Sequence, residues 1–137
     1  MNFADTNVLV YAVDAAEPRR QRLARDLIEA EAATLVVSTQ VLVEFYAAAT
    51  RRLKMRKEDA RKHLQNFARL RVVPTDSTLV LGASDIHQLN EVSWFDALII
   101  RSASVAGCTV LYSEDLADGA VYEGVRVLNP FGRAAGA

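Results

Sequence analysis

Short β-branched runs alternate with longer helical segments along the whole chain, and that alternation leaves few folds open. Asn2–Asp5, Thr34–Ser38, Arg71–Pro74, Thr109–Ser113 and Val125–Leu128 read as strands. Between them lie segments with helical periodicity. The first follows Asp5 directly, where Thr6 and Asn7 can both cap a helix. The next begins near Pro18, with Leu23, Leu27, Ile28 and Ala30 on one side. A third is capped by Ser38 or Thr39 and runs to about Lys54, and a fourth runs from Lys57 to Leu70 with Ala60, Leu64, Phe67 and Ala68 aligned. A fifth starts at Asp76 or Ser77 and carries Leu79, Ala83, Ile86 and Leu89, and a sixth runs from Ser93 to near Gly107. Strands alternating with helices predict an α/β domain: a mainly parallel sheet of four to five strands with helices on both faces. At 137 residues one domain is expected, over 1–131, with a flexible C-terminal tail over 132–137. There is no repeat, linker or low-complexity segment.

Several function classes drop out early. No apolar run approaches the ~20 residues of a membrane span. The N-terminus has no basic, cleavable leader pattern, so a cytoplasmic setting is the expectation. Cys108 is alone, which removes an internal disulfide and a cysteine metal cluster and leaves it as a small core residue. His63 and His87 have no partner at metal-ligand spacing and read as surface or boundary residues. There is no Gly-rich phosphate loop, Ser-His-Asp arrangement or zinc signature.

What stands out is carboxylates in apolar company. Asp5 is the only charge in the first thirteen residues, and Glu44 is the only one between Leu35 and Thr50. Asp96 sits alone between Val92 and Ile100, and Asp115 follows the run Val110–Ser113. Each has an ordinary explanation. Glu44 could lie on a narrow exposed stripe or pair with Arg51 or Arg52. Asp96 fits a capping box opened by Ser93, and Asp115 fits a turn, with Glu114 and Asp118 competing for the same role. Taken together they share a location, since Asp5 and Asp115 fall at the carboxyl ends of strands. Glu44 and Asp96 fall in the first turns of helices that follow such ends. Ligands of open α/β sheets gather on that rim. Converging carboxylates repel unless a cation joins them, and a hard ion such as Mg²⁺ or Mn²⁺ takes oxygen ligands and binds phosphate besides.

The formal charge of −1 hides a second asymmetry. Residues 51–71 hold nine of the sixteen Lys and Arg residues, among them Arg51, Arg52, Lys54, Arg56 and Lys57, against only Glu58 and Asp59. Such a block is either a solvated face or a surface for a polyanion. An acidic metal pocket beside a basic hairpin suits a nuclease.

Four stretches together carry a family resemblance: Asp5–Tyr11, Ser38–Phe45, Trp94–Ile99 and Leu111–Leu116. In this order and spacing the sequence resembles the PIN-domain family and, within it, the VapC-type ribonuclease toxins of toxin–antitoxin modules, from Phe3 to about Asn129. The resemblance implies an acidic quartet at Asp5, Glu44, Asp96 and Asp115. Asp5, Asp96 and Asp115 would hold Mg²⁺ or Mn²⁺, with Glu44 as a ligand or the residue positioning water. Thr6, Asn7 and Ser113 match the family's supporting polar positions. It further implies hydrolysis of single-stranded RNA to a 5′-phosphate and a 3′-hydroxyl, a homodimer, and neutralisation by a VapB-like antitoxin. Glu114 and Asp118 stay open as extra acids. Arg101 departs from the small-residue run usual there and either reaches phosphate or pairs with a surface acid. Two other readings remain: a non-catalytic RNA-binding module, and an aspartate-based phosphotransfer protein with Asp5 as acceptor.

Overall fold

The computed structural model describes residues 1–132. Apart from Gly132, the tail expected at the C-terminus lies outside the described residues. In chain order the elements are β1 (Asn2–Ala4), α1 (Thr6–Ala12), α2 (Pro18–Ala30), β2 (Val36–Ser38), α3 (Thr39–Arg51) and α4 (Lys57–Phe67). They continue with β3 (Arg71–Val73), α5 (Ser77–Leu89), α6 (Trp94–Val105), β4 (Val110–Tyr112), β5 (Val121–Tyr122) and β6 (Val125–Leu128).

The sheet has six strands in the order β3-β2-β1-β4-β6-β5, one more than the sequence suggests. The first five are parallel, and β5 runs antiparallel to β6. The extra strand escapes sequence reading because it is two residues long. Glu123 and Gly124, both at positive φ, turn it back so that Tyr122 pairs with Val125. Two successive positive-φ residues are the geometry of a tight primed hairpin.

Consecutive residues of a strand point to opposite faces, yet Phe3 and Ala4 are both fully buried, as are Val36, Val37 and Ser38. The central strands are therefore covered on both sides, as helix-clad parallel sheets require. The edge-on contact of Phe45 with Phe67, 4.9 Å between centroids, ties α3 to α4. Three residues expected on inward helix faces turn out exposed: Ala30, Ala68 and Leu89. All three lie at or just past a helix end, where the chain peels from the core. α3 and α4 also stop three residues short of expectation, α3 ahead of Lys54 at φ +57°.

The strand order carries the functional consequence. The chain steps from β1 to β2 and β3 on one side, then returns to place β4 on β1's other side. The crevice at the carboxyl ends of β1 and β4 is a topological switch point.

Candidate active site

Asp5 leaves β1 at this switch point. Its backbone N–H donates to the Tyr112 carbonyl at 2.9 Å, the last rung between β1 and β4. Asp5 itself, rather than Thr6 or Asn7, is the N-cap of α1: its Oδ1 accepts from the Thr6 N–H at 2.7 Å. Its Oδ2 accepts from the Ser113 hydroxyl at 2.8 Å. The carboxyl is 3 % exposed, and burial raises its pKa from 3.8 to about 7. The hydrogen bonds from Ser113 and Thr6 oppose that rise, while the negative charges of Asp115 and Asp96 add to it.

Asp115 reaches the same point from the loop after β4. Its N–H donates to Ser113 Oγ at 3.1 Å, so one buried hydroxyl links Asp5 and Asp115. Asn7, in the first turn of α1, donates from Nδ2 to Asp115 Oδ2 at 3.3 Å. Asp96 enters from the first turn of α6, where Ser93 caps the helix by accepting the Asp96 N–H at 3.1 Å. The capping box and the site position thus coexist. Burial raises the Asp96 pKa, Ser93 lowers it, and Asp115 and Glu44 raise it further.

Asp5, Asp96 and Asp115 each bring a carboxylate oxygen within 4.8 Å of the other two. Glu44 stands beside this group in the second turn of α3, deeper than the first-turn position expected of it. It is neither exposed nor paired with arginine. Thr6 Oγ1 donates to its Oε1 at 2.7 Å, and Gln40 Nε2 lies 3.4 Å from its Oε2. Among the described residues none of the four acids has an ion-pair partner. Three oxygen donors within 4.8 Å of one another, uncompensated by any Lys or Arg among the described residues, fit a hard divalent cation such as Mg²⁺ or Mn²⁺.

The neighbouring acids are occupied elsewhere. Glu114 pairs with Arg20 at 3.2 Å, and the Arg20 guanidinium lies 5.4 Å over the Tyr11 ring. Asp118 accepts the Asn129 N–H at 2.9 Å in a turn. Of the basic candidates, Arg51, Lys54, Arg56 and Lys57 are exposed on the α3–α4 hairpin. Arg52 lines a recess of about 170 Å³ that it shares with Thr6, Asn7, Tyr11 and Asp115. Arg101 pairs with no acid among the described residues. It lies along Gly82, where a Cβ would meet its Nε at 2.5 Å.

Gln40 is the site neighbour that sequence reading misses. Its Nε2 also lies 3.4 Å from the Phe95 carbonyl, linking α3 to the start of α6. Its spacing of four residues from Glu44 on one helix was the available signal.

The fold has counterparts. No curated protein is significantly similar to the chain in sequence. Solved structures share its fold at low identity. A toxin–antitoxin complex from Klebsiella pneumoniae superposes with a TM-score of 0.72 at 18% identity, covering 95% of this chain and 98% of that one. VapC20 of Mycobacterium tuberculosis, a sarcin–ricin loop cleaving toxin, gives 0.67 at 21% identity, covering 84% and 90%. DNA-bound VapBC from Salmonella typhimurium gives 0.68 at 19% identity, covering 92% and 95%. The pattern of the PIN domain family matches residues 3–117, a span that takes in all four acids. The chain belongs to the PIN domain family.

Proposed function

We propose that this protein is a VapC-type toxin, a Mg²⁺- or Mn²⁺-dependent endoribonuclease acting on single-stranded RNA in the cytoplasm. The observation that carries the reading is the convergence of Asp5, Asp96 and Asp115 within 4.8 Å, with no basic partner among the described residues, at the switch point of the sheet. A bound divalent ion supplies charge neutralisation at a scissile phosphate and activation of water. Asp5, Asp96 and Asp115 would hold it. Ser113 fixes Asp5 and Asp115 relative to each other through its two hydrogen bonds, and Asn7 steadies Asp115. Glu44, held by Thr6 and Gln40, would orient the attacking water and take up its proton as the new P–O bond forms, while the P–O bond to the 3′-oxygen breaks and that oxygen takes a proton from solvent to leave as a hydroxyl. Arg52, at the recess beside Asp115, and the other bases of the hairpin take flanking phosphates.

A VapB-like antitoxin belongs to the same reading, supported by fold relatives whose structures are toxin–antitoxin complexes, and a homodimeric state is proposed with it. A phosphoaspartate at Asp5 is the weaker alternative, because both oxygens of that buried carboxyl already accept hydrogen bonds. The test is direct. Purified protein with Mn²⁺ should cleave a single-stranded RNA, EDTA should stop it, and Asp96→Asn should abolish both cleavage and growth arrest on induction. Cleavage that survives EDTA, or a fully active Asp96→Asn, overturns the assignment.

A further inference from the structure

Two aromatic residues open α6, and the structure gives them different surroundings. Trp94 is half-buried and packs edge-on against His87 of α5, 5.9 Å between ring centroids. Phe95 is 62 % exposed and takes part in no aromatic or cation–π pair among the described residues. It is the residue immediately before Asp96, and Gln40 reaches its carbonyl from beside Glu44. On α3, Val43 directly precedes Glu44 and is 65 % exposed. Two exposed apolar side chains therefore sit one residue ahead of rim acids, Phe95 before Asp96 and Val43 before Glu44. A phenyl ring left in water forgoes the ~1.5–3 kcal/mol that burial of such a side chain gains.

The rim's charge gives that ring a use. Asp5, Glu44, Asp96 and Asp115 repel the phosphates of an approaching strand. Affinity close to the acids is better supplied by an uncharged contact. Unpaired bases are held in this way, by stacking on exposed aromatic rings irrespective of sequence. We propose that Phe95 is the stacking platform for an unpaired nucleobase of the strand that enters the acid cluster. The inference rests on the ribonuclease reading for the identity of the strand. It adds the subsite and the ligand class: a nucleobase face rather than a phosphate.

The experiment uses the full chain and a labelled single-stranded RNA, with binding followed in Ca²⁺ and cleavage in Mn²⁺. Phe95→Ala should bind about five- to a hundredfold more weakly. The loss should not depend on salt, and Phe95→Trp should restore binding. On an RNA carrying an abasic nucleotide at the stacked position, wild type and Phe95→Ala should bind alike. Equal affinity of wild type and Phe95→Ala for the intact RNA, with cleavage retained, overturns the stacking site and leaves the ribonuclease reading standing. So does a Phe95→Ala variant whose only change is a lower oligomeric mass, which assigns the ring to a second copy of the chain. Aromatic-dependent binding without cleavage by the wild type would keep the subsite and overturn the ribonuclease reading. A wild type that neither binds nor cleaves RNA overturns both.

Discussion

The acidic rim and the basic α3–α4 hairpin are the two charged regions of this molecule, and their charges exist in different physical states. On the rim Asp5 is 3 % exposed, accepts two short hydrogen bonds and holds its proton to about pH 7. On the hairpin the one ion pair among the described residues, Arg56 with Glu58 at 3.3 Å, joins side chains that are 80 % and 69 % exposed. Its exposed bases are hydrated and screened by salt. Desolvation, more than the number of charges, separates the two. Three acids on the rim constrain one another, whereas the surplus bases on the hairpin leave only a diffuse field.

The sharpest way to break this contrast is to remove one rim charge without changing its shape. Asp5→Asn should lower ribonuclease turnover by at least about a hundredfold, measured on a fixed RNA with saturating Mn²⁺. Near-normal turnover would mean that the buried acid is only a helix cap. Ser113→Ala should cost about 10- to 100-fold in activity or Mn²⁺ affinity, because it unties Asp5 from Asp115 while leaving every ligand in place.

pH sharpens the contrast further. Unfolded, Asp5 ionises near its ordinary value of 3.8; folded and metal-free, it keeps its proton to about 7. The folded state binds the extra proton between those limits, so stability falls as pH rises from about 4 to 7, and the loss is complete above 7. The melting temperature of metal-free protein should drop across this window, and more shallowly in Asp5→Asn. Because the ion must displace that proton, Mn²⁺ affinity should climb roughly tenfold per pH unit below 7 and level off above it. A pH-independent affinity from 5 to 7 would show that Asp5 is already ionised.

The hairpin should respond far less. Arg51→Gln with Arg52→Gln should weaken RNA binding a few-fold at low salt, with turnover on bound RNA retained. The salt dependence of binding should flatten by about one unit of slope for each phosphate that no longer meets an arginine. Smallest of all, Arg56→Gln should shift unfolding free energy by no more than about 0.5 kcal/mol in a urea titration.

The same contrast explains what could be read in the sequence. Isolated acids such as Glu44 and Asp96, set among Val, Leu, Phe and Ile, advertise themselves because burying a lone carboxylate needs a reason. The parallel sheet was legible for a similar cause, since its central strands, covered on both faces, are rich in apolar residues such as Phe3, Val36, Val37 and Leu111. Relations between distant side chains were not legible. Gln40 looks like any helix-surface glutamine until the fold brings the Phe95 carbonyl to it. The Ser113-x-Asp115 spacing was the one local signal separating Asp115 from Glu114 and Asp118; the distant partners, Asn7 of Asp115 and Arg20 of Glu114, assign their places only in the fold. β5 escaped because two residues carry no period. Phe95 and Trp94 are equivalent in sequence and part company only when α5 packs against one of them.

The strand order also has a bearing on the timing of synthesis. β1 emerges first, yet its neighbour β4 and the hydroxyl that grips Asp5 lie far downstream, the hydroxyl 108 residues away. A growing chain that already carries Asp5, Glu44 and Asp96 still lacks Ser113 and Asp115, and its first strand has one side unpaired. The acids can close on one another only when β4 and the Ser113–Asp115 turn behind it have left the ribosome. A chain arrested before that point carries three of its four acids and no assembled site.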